Sequence, residues 1–412
     1  MITTEAIERA ALNIRDVASR TPLVHNHNLS QKYECNIFLK REDMQPVRSF
    51  KIRGAYNKMK MMPQQLLAKG VICASAGNHA QGVAFACAAL RTHGTIYMPT
   101  TTPKQKITKV RHFGGEWVDI KLTGDTFDDA NKVALHQSES LGIPYIHPFN
   151  DEEVMAGQGT IAKEILEDIK VPVDILFVAV GGGGLLSGVG SYFKQRSPTT
   201  RIIALEAEGA PALERALVAK SPVHLDTIDS FADGIAVKEV GDRTFSICRE
   251  VLDEIRLIPE GKICSSILSL YNDEAIVVEP AGAISFAALD GFREEIRWKN
   301  VVIIVCGGNN DITRTEDIRE RALLWEGRKH YFIIRFPQRA GALRDFLHLL
   351  GPDDDIARFE YTKKTNRDTG PALVGIEFKS PDDFYPLTDR MTKAGINFEH
   401  INTNPTLFEM LV

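Results

Sequence analysis

Short apolar runs, each followed by a glycine or proline break and then a stretch of helical period, recur along most of this chain. They fall at 37–40, 70–74, 94–98, 117–120, 173–180, 201–206 and 301–306. Runs such as Gly70-Val71-Ile72-Cys73-Ala74 are apolar throughout, as a strand buried on both faces requires. Between them, helical spacing predicts a helix from Ser49 carrying Ile52, Tyr56 and Met59, and another carrying Val83, Ala84, Cys87 and Leu90. Further helices are expected at 104–113, 153–169, 185–195, 210–219, 243–254, 281–291 and 311–325. Residues 1–36 read as helix and then irregular chain, with a break at Thr21-Pro22-Leu23. Such alternation packs parallel sheets between helices. The region is too long for one simple sheet, so the expected fold is α/β with two lobes and a cleft between them.

The rhythm changes after Glu326, with Gly327-Arg328-Lys329 marking the boundary. A strand at 331–336, a helix at 341–350, strands at 356–363 and 372–379, a helix at 381–394 and a strand at 397–401 spell β-α-β-β-α-β, the ferredoxin-like α+β unit. The expected domains are 1–326, with a smaller lobe at about 50–150, and 329–412.

Composition narrows the function. A net charge of −5 offers no general attraction to nucleic acid or anionic membrane. The first twenty residues mix acids and bases without an apolar core, so no signal peptide is expected, and no apolar run is long enough to span a bilayer. The six cysteines are scattered without a C-x-x-C pair, which points to reduced, cytoplasmic thiols and to no metal centre.

Three stretches carry chemistry. Ser49 reads as a helix cap that places Lys51 in the first turn, where the positive end of the helix dipole lowers an amine's pKa. A neutral amine is what a Schiff base requires. In Val178-Ala179-Val180-Gly181-Gly182-Gly183-Gly184-Leu185 a strand runs through four glycines into a helix, a form suited to phosphate. The dinucleotide frame G-x-G-x-x-G fails at Leu186 from Gly181 and at Ser187 from Gly182, although Glu206 stands near the ribose-binding offset. An NAD reading therefore stays open, while the missing Walker lysine argues against a P-loop. At Ser75-Ala76-Gly77-Asn78-His79 a strand–helix junction offers a hydroxyl, an amide and backbone N–H groups to a carboxylate, with His79 read as a satisfied helix-start histidine. An amine and a phosphate cradle together suggest pyridoxal 5′-phosphate.

The chain resembles the biosynthetic threonine ammonia-lyases (threonine dehydratases) of the fold type II pyridoxal-phosphate family. The matching pieces are Lys40-Arg41-Glu42-Asp43, Ser49-Phe50-Lys51-Ile52-Arg53-Gly54-Ala55, Ser75 to Gly82, Ala156-Gly157-Gln158-Gly159-Thr160, the glycine run, Glu279-Pro280-Ala281-Gly282-Ala283 and Cys306-Gly307-Gly308-Asn309-Asn310. The resemblance implies that Lys51 is the catalytic, cofactor-bearing lysine, with Phe50 beside the ring and Asn78 at its 3′-oxygen. It implies that Gly181, Gly182, Gly183 and Gly184 hold the phosphate and that Cys306 stands where many relatives place a serine by the ring nitrogen. It assigns Ser75, Gly77, Asn78 and Gln158 to the substrate carboxylate. The activity implied is deamination of L-threonine, and more weakly of L-serine, to a 2-oxoacid and ammonia by β-elimination. Serine racemases share much of the pattern but have a second serine where this chain has Ala76, which favours the lyase. Relatives also bind a cation near the region of Glu206 and Glu208, yet the other ligands do not match, so no metal is expected.

The tail resembles the ACT-like regulatory domain of short-form enzymes, through Phe336-Pro337-Gln338-Arg339-Ala340-Gly341-Ala342-Leu343 and Glu360-Tyr361. That implies a site for a small amino acid at Arg339, Gly341, Glu360 and Tyr361, with feedback inhibition by isoleucine. The alternative is a purely structural or oligomerising module. A homo-oligomer, tetrameric by family, is implied.

Overall fold

The computed structural model describes residues 1–362 and 368–412. The chain divides into two compact units, Met1–Ile312 and Thr313–Val412.

The first unit holds two sheets. Strands β1 (Leu23–His25), β2 (Asn36–Arg41), β6 (Ile175–Ala179), β7 (Arg201–Ala207), β8 (Glu254–Ile258) and β9 (Asn300–Val305) form a six-stranded sheet in the order β1-β2-β9-β6-β7-β8. Only the β1–β2 pair is antiparallel. Strands β3 (Val71–Ala74), β4 (Gly94–Met98) and β5 (Val118–Leu122) form a parallel three-stranded sheet, the core of a smaller lobe. Strands β3, β6 and β9 are buried almost throughout, as their unbroken apolar runs require. The chain leaves β6 toward β7 and β8 and returns to β9 on the other side of β6. That reversal makes a crevice at the carboxyl ends of β6 and β9, the usual ligand position in an open α/β sheet.

Several elements differ from expectation. β1 lies in a segment read as irregular, and β8 starts at the last residue of the helix read at 243–254 and runs on where no element was read. Both are edge strands with partly exposed faces, so they lack the apolar runs that marked β3, β6 and β9. The helix at 243–254 is Asp242–Val251, and the helices Phe127–Leu141 and Glu260–Glu274 were not anticipated.

The helix Lys51–Met61 is anchored by a buried ion network. Arg53 is fully buried; its Nε and Nη2 each donate to Glu42 at 2.8 Å, and Nη1 and Nη2 donate to Glu164 at 2.6 and 2.8 Å. Lys40 Nζ donates to Glu164 at 2.5 Å and to the Thr21 carbonyl at 2.7 Å. The Glu42 carboxyl is held below the usual carboxylate range, its burial outweighed by the Arg53 guanidinium.

In the second unit β10 (Lys329–Pro337), β11 (Asp355–Tyr361), β12 (Thr369–Glu377) and β13 (Asn397–His400) form an antiparallel sheet ordered β11-β12-β10-β13. The helices Ala342–Leu347 and Phe384–Lys393 cover it over a core that includes Phe332, Phe336, Phe346, Val374 and Leu387. This is the ferredoxin-like order expected. The last residue of the strand read at 356–363, Lys363, lies outside the described residues.

Removing Arg53 alone strands the fully buried Glu42 and leaves Glu164 with Lys40 as its one cation among the described residues. Arg53→Met should lower the stability of the first unit by ~3–5 kcal/mol. Urea unfolding checks this, and a loss below about 1 kcal/mol would mean the network behaves like a surface pair.

Candidate active site

The Lys51 helix begins at a staple between distant segments. Ser49 forms an antiparallel bridge with Gly307, the Phe50 amide donates to the Cys306 carbonyl at 3.2 Å, and the Gly308 amide donates to the Arg48 carbonyl at 2.9 Å. Ser49 is therefore not the cap. Phe50 occupies that position with no side-chain cap, and the buried Ser49 hydroxyl has no partner among the described residues. The bridge to Gly307, on the far side of the sequence, takes Ser49 out of capping geometry.

Lys51 is the first helical residue. Its Nζ donates to the Pro148 carbonyl at 3.1 Å and stands 5.4 Å from the Phe50 ring centroid. Burial pulls its pKa from 10.5 down to about 8, against the opposing influence of Cys306 and Glu279. Loss of hydration, more than the helix dipole invoked above, is the leading cause.

Gly181, Gly182, Gly183 and Gly184 follow β6, and the helix Gly184–Arg196 starts among them. Gly183 has φ +87° and no side chain caps this helix, so its first amides have no side-chain acceptor. Cys306 follows the adjacent strand β9; its Sγ donates to the Ala281 carbonyl at 3.0 Å, and burial pushes the thiol pKa well up. It stays a neutral thiol.

Asn78 starts the helix Asn78–Leu90, and both ends of its amide are engaged. Nδ2 donates to Glu279 Oε1 at 2.6 Å, and Oδ1 accepts from Asn309 Nδ2 at 2.7 Å. Asn309 Nδ2 also meets the Val47 carbonyl at 2.8 Å, while Lys109 Nζ donates to Asn309 Oδ1 at 3.2 Å. Asn78 therefore has one N–H left to offer. Burial, with Asp233 nearby, raises Glu279 to about 7. Glu279 and Asn309 lie within recognised motifs but received no role from sequence, because their partners come from the other lobe. The Pro280 helix start was the signal available for Glu279.

Ser75 Oγ accepts the Gly77 amide at 3.2 Å, and a side chain at Gly77 would point into open space. Gln158 is buried on the helix Glu152–Asp168 against Gly54, and its Oε1 has no partner among the described residues. His79 is buried with Nε2 on the Ile146 carbonyl at 2.8 Å, and burial holds its pKa down near 3. It is a neutral, packed histidine.

Glu206 has a different task from the ribose contact left open above. It is buried, and its two oxygens accept the Leu213 and Glu214 amides at 2.7 and 2.8 Å, capping the helix Ala212–Ala219. Burial raises its pKa to about 8. The acid is committed to that helix.

In the second unit Gly341 has φ +84° at the turn before its helix. Arg339 pairs with Asp345 at 2.7 Å, and Glu360 pairs with Arg358 at 2.8 Å. The Tyr361 ring stands edge-on to Phe336 with centroids 6.1 Å apart, three residues before Arg339.

Comparison with known proteins accords with this arrangement. The profile of the pyridoxal-phosphate dependent enzymes matches residues 14–307, and that of the C-terminal regulatory domain of threonine dehydratase matches residues 320–411. The chain is 55% identical to the L-threonine dehydratase biosynthetic IlvA of Bacillus subtilis, covering 100% of this chain and 98% of that one. It is 53% identical to its counterpart in Halalkalibacterium halodurans, covering 100% and 99%. Among solved structures, the processed form of threonine deaminase isoform 2 from Solanum lycopersicum superposes with a TM-score of 0.73 at 41% identity, over 78% of this chain and 94% of that one.

The Lys51 pKa gives a test that needs no ligand. Reductive trapping of Lys51 by a small aldehyde should speed up as pH rises, with a midpoint near 8, as the amine loses its proton. Peptide mapping of the trapped lysine reads the profile; a midpoint near 10.5 would show a solvated amine.

Proposed function

The chain belongs to the pyridoxal-phosphate dependent enzymes and carries a threonine dehydratase regulatory domain, and on that basis we propose how its residues act. It deaminates L-threonine to 2-oxobutanoate and ammonia, the first step of isoleucine biosynthesis. The observation that carries this reading is a buried, low-pKa Lys51 stapled beside Cys306 at the crevice where an uncapped glycine-rich helix start emerges.

The residues fit pyridoxal 5′-phosphate. Lys51 Nζ would bind its aldehyde, the amides around Gly181, Gly182, Gly183 and Gly184 its phosphate, and Asn78 its ring oxygen, with Phe50 and Cys306 beside the ring. When bound, the cofactor accepts the electron pair left on the substrate Cα. Lys51 Nζ would take the Cα proton, its lowered pKa keeping about half of it neutral near pH 8; the β-hydroxyl leaves as water, and water then hydrolyses the enamine product to 2-oxobutanoate and ammonia. Ser75, Gly77 and Asn78 orient the substrate carboxylate, while Gln158, buried against Gly54, is not grouped with them. Cys306, a neutral thiol, brings no negative charge to the ring nitrogen. L-serine lacks one methyl, a difference worth only ~1–3 kcal/mol, so it is the weaker second substrate.

Isoleucine is the effector in this reading, bound at Arg339, Gly341, Glu360 and Tyr361. The left-handed turn at Gly341 and the partly exposed Tyr361 support a small-amino-acid site. The enzyme assembles as a homotetramer. No helix among the described residues is long and apolar enough to cross a membrane, and six buried cysteines held as thiols support a cytoplasmic setting.

Two measurements test this. Purified enzyme should show the visible band of lysine-bound cofactor and form 2-oxobutanoate from L-threonine; Lys51→Ala should lose the band and at least ~10²–10⁴-fold of the rate. Appreciable turnover in that variant would sink the assignment. Tyr361→Ala should raise the isoleucine concentration for half-inhibition about 10-fold, equivalent to ~1.4 kcal/mol. An enzyme that isoleucine neither binds nor inhibits would return the tail to a structural role.

A further inference from the structure

The Lys51 amine and the glycine run are joined by a strut outside the reacting groups. Pro148 accepts from Lys51 Nζ. The next residue, Phe149, packs against the glycine run so closely that a Cβ on Gly182 would lie 2.3 Å from its ring. Asn150 then caps the helix Asp242–Val251: its Oδ1 accepts the Arg243 and Thr244 amides at 3.1 and 3.3 Å, and its Nδ2 donates to Asp242 at 2.7 Å. That helix returns to the glycines. Thr244, fully buried, donates its hydroxyl to the Gly182 carbonyl at 2.7 Å, with the Gly241 carbonyl at 3.1 Å. One turn on, Cys248 Sγ lies 3.5 Å from the Gly183 carbonyl.

The geometry has a direct consequence. In a trans peptide the carbonyl and the following N–H point in opposite directions. A Gly182 carbonyl held against Thr244 turns the Gly183 N–H away from that helix. The Gly183 carbonyl accepts the Ser187 amide at 2.9 Å, which likewise points the Gly184 N–H out of the helix start. Four consecutive glycines have too much backbone freedom to hold these planes alone.

We propose that Thr244 is a positioning residue for the anion cradle: its hydroxyl, fixed by the Asn150 cap, holds the Gly182 carbonyl so that the following glycine amides face the cofactor phosphate. The proposal rests on the reading of the glycine run as the phosphate site.

The test titrates apo-enzyme with pyridoxal 5′-phosphate and with pyridoxal, which has the same aldehyde but no phosphate. The native chain should bind the phosphate ester more tightly. Thr244→Val should weaken that ligand about 3- to 10-fold and leave pyridoxal unchanged, since one neutral hydrogen bond is lost from behind the phosphate site. Thr244→Ser, which keeps the hydroxyl, should restore the difference; Thr244→Ala serves if valine is not accommodated. Equal weakening of both ligands, no weakening of either, or failure of serine to restore would overturn the proposal. A native chain that does not distinguish the two ligands would overturn the phosphate reading itself, and this proposal with it.

Discussion

Arg53 lies two residues past Lys51 on the same helix, so whatever holds one side chain fixes the other. Two cations, Lys40 and Arg53, face two carboxylates, Glu42 and Glu164, with little or no access to water. Removing four charges from water costs several kcal/mol each, and mutual attraction offsets this only when every group is paired in good geometry. Here each guanidinium nitrogen has an acceptor, with Thr160 Oγ1 and the Ser19 carbonyl completing the shell. A network satisfied in one arrangement specifies that arrangement. It locks β2, the Lys51 helix and the helix Glu152–Asp168 into one body, and Gln158 sits in the resulting interface against Gly54.

From that rigid base the topology does the rest. Reversal of strand order around β6 brings the ends of β6 and β9 side by side, so the glycine run and Cys306 emerge as neighbours. The staple between 48–50 and 306–308 then carries the Lys51 helix to the same crevice. The smaller lobe enters through Asn78, whose amide is held by Glu279 and Asn309 of the larger one. The amine's position thus depends on backbone hydrogen bonds between segments more than 250 residues apart in sequence, such as Ser49 and Gly307.

What was readable in the sequence divides along the same line. Lys51 and the glycine run are local signals: a residue type at a strand–helix junction carries its chemistry with it. Strands β3, β6 and β9 were legible because burial on both faces leaves an unbroken apolar run, and β8 was not, because its faces are partly exposed. Ser49 looked like a cap because capping is a short-range rule, yet its partner is a residue from the other end of the unit. Glu206 matched a ribose-binding offset by count alone, whereas it caps the helix after Pro211, which has no side-chain cap of its own. Thr244 had no local signature, and Asn309, though within a recognised motif, showed no role, since each meets a polar group from a distant segment.

Burial, more than fixed countercharge, sets the electrostatics of the site. It lowers the Lys51 amine to about 8 and raises Glu279 to about 7, each toward its uncharged form. It also keeps the Cys306 thiol protonated. Glu279 and Cys306 both oppose the lowering at Lys51, since negative charge beside an amine favours the ammonium, but loss of hydration outweighs them. The enclosure that excludes water therefore acts on these groups in one direction: loss of hydration favours the neutral amine of Lys51 and shifts Glu279 and Cys306 toward their neutral forms, against the attraction both exert on the ammonium.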